Sequence, residues 1–375
     1  MTERRSAFST ERFSKKEVGR KRQTVKNKMK IERVYNMKKI LALLLAALMV
    51  FALVSCNMTD DQNGDPNGDE NNVGTDVTVR VMALKGPTGM GMVQLMENNA
   101  NGTAKNKYEI SLAAAPEEVS AAVIRGSVDI AAVPVNLASV LFNKPDVDIS
   151  FAAVNTLGVL HILENGNTIT GLNDLKGKKI YATGQGATPQ YILEHLLKEN
   201  GIDPASDVEI EYVAGHAALA TLLAENKAAI GLLPEPQVTS ALTTAKKNGN
   251  NDLRIALNVT EEWKKLDEGE LVQGCIIVSN KFKTEHPEEF AKFMEEYKAS
   301  AVYVVENPKD ASVLIEKHGI VEKAALAEKA IPNCNICCID GETGVAYMKN
   351  ILEVLYNANP KSVGGKLPTD AFYGN

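Results

Sequence analysis

Between Gly86 and Pro134 the turn and apolar residues of this chain return one hundred positions later without a gap. Gly86 and Thr88 correspond to Gly186 and Thr188, and Met92, Val93 and Met96 to Ile192, Leu193 and Leu196. Further on, Glu109 and Ile110 correspond to Glu209 and Ile210, and Val119 and Val123 to Leu219 and Leu223. Ile130, Val133 and Pro134 likewise match Ile230, Leu233 and Pro234. A register held through alternating strand-like and helix-like stretches argues for two lobes built on one plan. "VTVRVMAL", "YEISLAA" and "VDIAAVPV" read as strands; "MGMVQLMENN" and "EEVSAAVIRG" have helical spacing, and "NLASVLFN" reads as a short helix capped by Asn136. Such alternation predicts an α/β fold, each lobe a mostly parallel sheet flanked by helices.

The lobes must be joined twice. "ISFAAVNTLGVLHILE" (149–164) is long enough to add a strand and cross over, and "LVQGCIIVSN" (271–280) can return. After it the chain is mostly helical. Phe290, Phe293, Met294, Tyr297 and Ala301 share one helical face, as do Val345, Met348, Ile351, Leu352 and Leu355. Such stripes are core-packing faces. The expected division is residues 77–163 and 275–375 for the first lobe and 164–274 for the second, with hinge crossings between them.

Three segments precede this body. Residues 1–36 hold twelve Lys/Arg against four Asp/Glu. "MKKILALLLAALMVFALVSC" then begins with two lysines, continues through the apolar run Ile40–Val54 and ends on Cys56. Fifteen apolar residues fall short of the roughly 20 that span a bilayer and fit a signal-peptide core. The ending resembles a bacterial lipobox, so residues 37–55 are read as a lipoprotein signal and Cys56 as the lipidated residue. Translation is expected to start at Met37, which makes 1–36 an annotation extension. Residues 56–76, rich in Asn, Asp and Gly, form an acidic tether unable to bury a core. From Cys56 onward 27 basic groups face 43 acidic ones, which argues against nucleic acid as a partner.

No catalytic set emerges. The five histidines include no HExxH pair, and there is no Gly-x-Ser-x-Gly elbow or Walker A loop. "GQGATP" lacks the last glycine of a dinucleotide fingerprint. Cys334, Cys337 and Cys338 lack the further ligands that would complete a zinc site, leaving buried thiols or a local disulfide ahead of metal. No cofactor and no metal are expected.

The candidate site follows from topology. In open α/β sheets ligands bind beyond the carboxyl ends of the strands, where helices begin. Helix starts offer unpaired N–H groups and the positive end of a dipole. Pro87, Thr88 and Gly89 stand at such a start in the first lobe, and Gln185 and Thr188 at its counterpart. With Pro189 next, Thr188 reads as an N-cap, either capping alone or also touching a ligand. Asn136 and Glu235 follow the equivalent strands. Glu235, between Pro234 and Pro236, is either a surface cap or a ligand contact. Asn155, Thr156 and Gln273 lie at the crossings, and Trp263 packs a helix or stacks on a ligand.

"GLNDLKGKKIYATGQGATPQYILEHLLKENGI" and "NKAAIGLLPEP" resemble the second lobe of the SsuA/THI5-like (NMT1-like) solute-binding family, over roughly residues 77–300. The resemblance implies a two-lobed type II periplasmic binding fold. It also implies the solute-binding component of an ABC importer, lipid-anchored on the extracytoplasmic face and monomeric, with a permease and its ATPase as partners. An ionised Glu235 in the cleft would favour a nitrogen-bearing, aminopyrimidine-like solute over nitrate or sulfonate. An enzyme on the same fold, pyrimidine-forming or of menaquinone-pathway type, and a ligand sensor are the alternatives.

Overall fold

The computed structural model describes residues 77–374. The extension, the signal segment, Cys56 and the tether lie outside the described residues.

In the first sheet β1 (Thr78–Leu84), β2 (Lys107–Ala113) and β3 (Ile130–Pro134) run parallel, with β1 in the middle. The chain adds β4 (Ile149–Leu157), and β5 (Leu160–Asn165) already belongs to the second sheet. There β6 (Lys179–Ala182), β7 (Glu209–Tyr212) and β8 (Ile230–Pro234) are parallel around β6, and β9 (Leu253–Asn258) completes the edge beyond β5. β10 (Val272–Ser279) re-enters the first sheet antiparallel to both β3 and β4, and β11 (Ile336–Ile339) pairs with β4. The orders are β11-β4-β10-β3-β1-β2 and β7-β6-β8-β5-β9. Apart from β11 the two sheets share one topology. In each, the strand antiparallel to its neighbours is the one arriving from the other lobe.

The hundred-residue register survives at the level of elements. β3 and β8 begin at Ile130 and Ile230, and the helices before them, α3 (Pro116–Ile124) and α6 (His216–Ala224), begin at 116 and 216. The first lobe also has α1 (Pro87–Met90), α2 (Val93–Ala100) and α4 (Val135–Phe142); the second has α5 (Thr188–Glu199), α7 (Gln237–Lys247) and α8 (Val259–Lys264). The C-terminal region adds α9 (Asn280–Glu285), α10 (Pro287–Glu306), α11 (Pro308–Lys317), α12 (Ala324–Ala330) and α13 (Gly341–Ala358). Among the described residues no helix is long and apolar enough to cross a membrane.

Strand alternation sorts the apolar side chains into three cores. Ile130 and Ala132 of β3, with Ile276 and Val278 of β10, face a core private to the first lobe, which Phe293 and Tyr297 of α10 fill. Leu163 and Leu233 face a second core with α6 and α7. The opposite faces share the largest core: Val133, Val154 and Ile277 from the first sheet with Ile162, Ile180 and Leu232 from the second. α13 contributes Met348, Ile351, Leu352 and Leu355 to it, and packs against α5. Central strands buried on both faces read as continuous apolar runs, as "IAAVP" and "IGLLP" do.

The crossings lie slightly earlier than the sequence suggested. Leu160 already pairs with Pro234, and Val272 with Leu157, so the chain changes sheets at Gly158–Val159 and again just before Val272. The apolar composition continues across both points because both strand ends are buried. Composition therefore could not mark the division at 163/164 or 274/275.

Candidate functional site

A cavity of about 710 Å³ opens between the lobes at the carboxyl ends of the parallel strands. Leu84, Pro134, Thr183 and Pro234, which end or follow β1, β3, β6 and β8, all line it. So do the first turns of five helices: Pro87 and Thr88 of α1, Pro116 of α3, Thr188 of α5, His216 of α6 and Gln237 of α7. None of the five carries a side-chain hydrogen bond from its N-cap residue. Apart from α7, whose Thr239 amide is bonded to Glu235, these starts bring the positive ends of their dipoles to the cavity wall.

Of the residues picked from sequence, Pro87, Thr88, Thr156, Gln185, Thr188, Glu235 and Gln273 line this cavity. Gly89, Asn136 and Asn155 lie behind its wall. Gly89 permits a close approach, since a Cβ there would sit 2.7 Å from the Leu84 carbonyl oxygen.

The capping assignments need correction. Thr188 is the first residue of α5, after Ala187 as N-cap, and its hydroxyl donates instead to Asn136 Oδ1 at 2.8 Å. Thr188 belongs to the second lobe and Asn136 to the first, so this buried bond joins the two. Asn136 is likewise inside α4, with Pro134 as N-cap. Thr88 is inside α1 and its hydroxyl donates back to the Leu84 carbonyl at 2.9 Å. In each case the residue type suits a cap, but the helix begins one or two residues earlier and the side chain finds a tertiary or i−4 partner.

Glu235 precedes the Pro236 N-cap of α7 and is 1% exposed. Its carboxylate accepts from the Thr239 amide at 3.1 Å and the Thr239 hydroxyl at 2.9 Å, so it caps the helix from one position further out. Burial pushes this carboxyl above its ordinary value, while the bonds from Thr239 and the side chain of Asn333 pull it down. It is not the open carboxylate that the sequence reading placed in the cleft.

Trp263 is wholly buried; its indole donates to the Gly269 carbonyl and its ring packs on His195, which leaves it no role in stacking on a ligand. The four described cysteines are free thiols, and no group of three or more potential metal ligands occurs among the described residues. Cys334 contacts Met90 sulfur, and burial raises all four thiols.

Sequence reasoning missed His216. Its Nδ1 lies 2.6 Å from the Thr183 hydroxyl at the cavity wall, and burial lowers its pKa, leaving a neutral ring. The spacing is that of a nucleophile and its base, but among the described residues no third group holds the ring. The register could have found it: His216 stands one hundred positions after Pro116, each the first residue of its helix.

A model of the family described as NMT1/THI5 like matches residues 109–311. Among proteins of curated function no relative matches significantly. An ABC transporter protein of Parabacteroides distasonis superposes with a TM-score of 0.66 at 23% identity, over 79% of this chain and 98% of its own. The aliphatic sulphonate binding protein SsuA of Escherichia coli gives 0.62 at 15%, over 78% and 92%. The alkanesulfonate-binding SsuA of Xanthomonas axonopodis pv. citri, bound to MOPS, gives 0.59 at 14%, over 79% and 96%. All three likenesses are likenesses of fold.

Proposed function

Because the chain belongs to the NMT1/THI5-like family, we propose that it is the extracytoplasmic solute-binding component of an ABC importer, working as a monomer. The observation that carries this reading is the cleft: five helix starts lining one cavity between two lobes of equal topology. A solute that bonds to both walls stabilises the closed state, and the permease with its ATPase engages that state. The anchor is lipidated Cys56 on the outer face of the membrane. Cell fractionation of Cys56→Ala tests it, with release of the protein as the expected result and full retention as the contrary one.

The charges of the wall favour a nitrogen-bearing solute, aminopyrimidine-like in chemistry. Exposed Glu117 and Glu322 line the cavity against a single lysine, Lys85, and no arginine, while Glu235 is taken up by Thr239. An amine or ring N–H bonded to a carboxylate gains about 1.5–3 kcal/mol. A specific observation supports a second reading, an alkanesulfonate. The four helix starts other than α7 suit an oxyanion, and two structural neighbours are sulfonate-binding proteins. Calorimetry of the full-length protein against an aminopyrimidine and against MOPS decides between them. Small-angle scattering with the binding probe should show compaction; an unchanged radius at saturation would count against closure and so against the importer mechanism. An enzyme would need the Thr183–His216 pair to turn over a substrate, and conversion of the aminopyrimidine during the titration would reveal it.

A further inference from the structure

Four polar groups at the cavity floor and just below it lack well-formed hydrogen bonds. They are the Asn155 amide, both ends of it, the Thr156 hydroxyl, the Tyr297 hydroxyl and the Gln273 amide nitrogen. Asn155 and Tyr297 are 0% exposed and Thr156 is 2% exposed. Tyr297 and the Asn155 amide are neighbours: burial raises the phenol pKa and Asn155 is close enough to pull it partly down, without a well-formed hydrogen bond between them. Buried polar groups in native proteins are almost always paired, and leaving one unpaired costs about 1–3 kcal/mol. A cluster of them calls for a guest.

The backbone explains how the cluster forms. β4 carries a bulge opposite β10: Thr156 faces Gly274, yet Val154 already faces Cys275, so Asn155 is the extra residue. Bulges redirect a side chain, and here both Asn155 and Thr156 come to the side of Gly274. A Cβ on Gly274 would lie 2.5 Å from Asn155 Oδ1 and 3.0 Å from the Thr88 methyl. Gly274 does not have the positive φ that demands glycine, so what this position needs is the missing side chain. Gly91 repeats the feature from the other side, where a Cβ would lie 2.9 Å from the Tyr297 hydroxyl. Thr88, Thr156, Gln273 and Gly274 all line the cavity, so the cluster adjoins the cleft.

We propose that Asn155, Thr156 and Tyr297 form a polar subsite beneath the cleft floor. It receives an uncharged hydrogen-bonding group of the solute, such as a hydroxyl, an amide or a ring nitrogen, from the cleft side at Thr156 and Gln273; the room a side chain on Gly274 would take is filled by Asn155 Oδ1 and the Thr88 methyl. The inference rests on the solute-binding reading and specifies one end of the solute. No ionised partner stands in the cluster, and the nearest thiols, Cys337 and Cys338, are held protonated by burial, each pushed up to about 12. A charged group would lose its hydration there without a counter-charge. An uncharged one would satisfy the orphaned donors and acceptors at once. Tyr297 thus has two functions, as a member of the first lobe's core and as a specificity residue.

The test is a high-resolution crystal structure of the wild-type protein with the small molecule it retains, identified by native mass spectrometry. The expected result is a solute atom within about 3 Å of the Tyr297 hydroxyl or the Asn155 amide. Water alone there, no solute atom in reach, or a direct Tyr297–Asn155 bond overturns the proposal. Calorimetry with an aminopyrimidine bearing a hydroxymethyl group, and with MOPS, gives a second measure. Tyr297→Phe should weaken the probe that binds by about tenfold, one net hydrogen bond, while the melting temperature stays level or rises. Unchanged affinity, or a drop in melting temperature without loss of affinity, marks Tyr297 as structural only and overturns the subsite. Gly274→Ala should lose the same affinity by displacing Asn155. If the wild type binds neither probe, the solute classes named above fail, and the crystal structure alone decides the subsite.

Discussion

The two lobes share a strand order and a register, yet they load the same backbone positions with different chemistry. Where the first lobe starts α3 with Pro116, the second starts α6 with His216. Following β3 stands Asn136, which bonds across to Thr188; following β8 stands Glu235, which turns inward to Thr239. Position 97 of α2 is a glutamate bonded to Lys317 and His318 of the C-terminal region, whereas Leu197 of α5 is wholly buried. The first lobe carries extra helices and spends polar groups on holding them. The second brings a histidine, His216, to the cavity wall. A repeated fold thus provides two matching walls, and the differences between equivalent positions divide the work between them.

The largest test asks whether the walls are one cooperative unit. Phe293 and Trp263 are wholly buried, one in the first lobe's private core and the other in the shared core. Truncation of either to alanine should cost about 3–5 kcal/mol. With a core common to both sheets, calorimetric melting of Trp263→Ala should remain a single transition at lower temperature. Two separate transitions would show that the lobes fold independently.

A smaller effect tests the register itself. Ala131 and Val123 of the first lobe correspond to Gly231 and Leu223 of the second, and a Cβ on Gly231 would lie 2.8 Å from Leu223 Cδ1. Gly231→Ala should therefore destabilise by about 1–3 kcal/mol through overpacking. Adding Leu223→Val, which copies the first lobe, should recover most of it. Denaturant midpoints of the single and double variants measure this, and no recovery would mean that the lobes pack these positions differently.

Thr188→Val removes one of the bonds that join the lobes and should favour the open state by about 1 kcal/mol. Small-angle scattering without solute should then show a larger radius than the wild type. An equal radius would assign closure to the contacts that remain, the bond from Asn350 to the Glu268 carbonyl and the shared core.

The last prediction concerns acid. Burial lowers the pKa of His161 and of His216, both in the second lobe. Each folded ring resists protonation while its unfolded counterpart takes up a proton near 6.5, so stability falls as pH drops below that value. In the first lobe, hydrogen bonds from Lys317 and His318 hold Glu97 at about 2, below its ordinary 4.5. Its contribution is present above 4.5 and is lost only as pH falls toward 2. Hydrogen exchange against pH should therefore loosen α6 and β5 first, and α2 with α11 only in stronger acid. His216→Gln should flatten the first phase and Glu97→Gln the second. Simultaneous loosening would break the contrast between the lobes.

Much of this molecule was legible in local pattern. Strand and helix periods, and the hundred-residue register, depend on which side chains alternate, and that information is in the chain itself. The rule that ligands sit at strand carboxyl ends placed seven of the ten candidate residues on the cavity. The caps misled because a threonine or asparagine near a helix start has two possible partners, and only the fold decides between backbone and neighbour. Tyr297 read as one more apolar-face residue because its spacing along α10 is that of a core stripe. What made it polar in function is a bulge at Asn155 and two glycines from distant strands and turns. Local periodicity determined the elements, their order and the ends at which a site could form. Which polar atoms are left without partners is a property of three dimensions, because it depends on what every other segment brings to the same few ångströms.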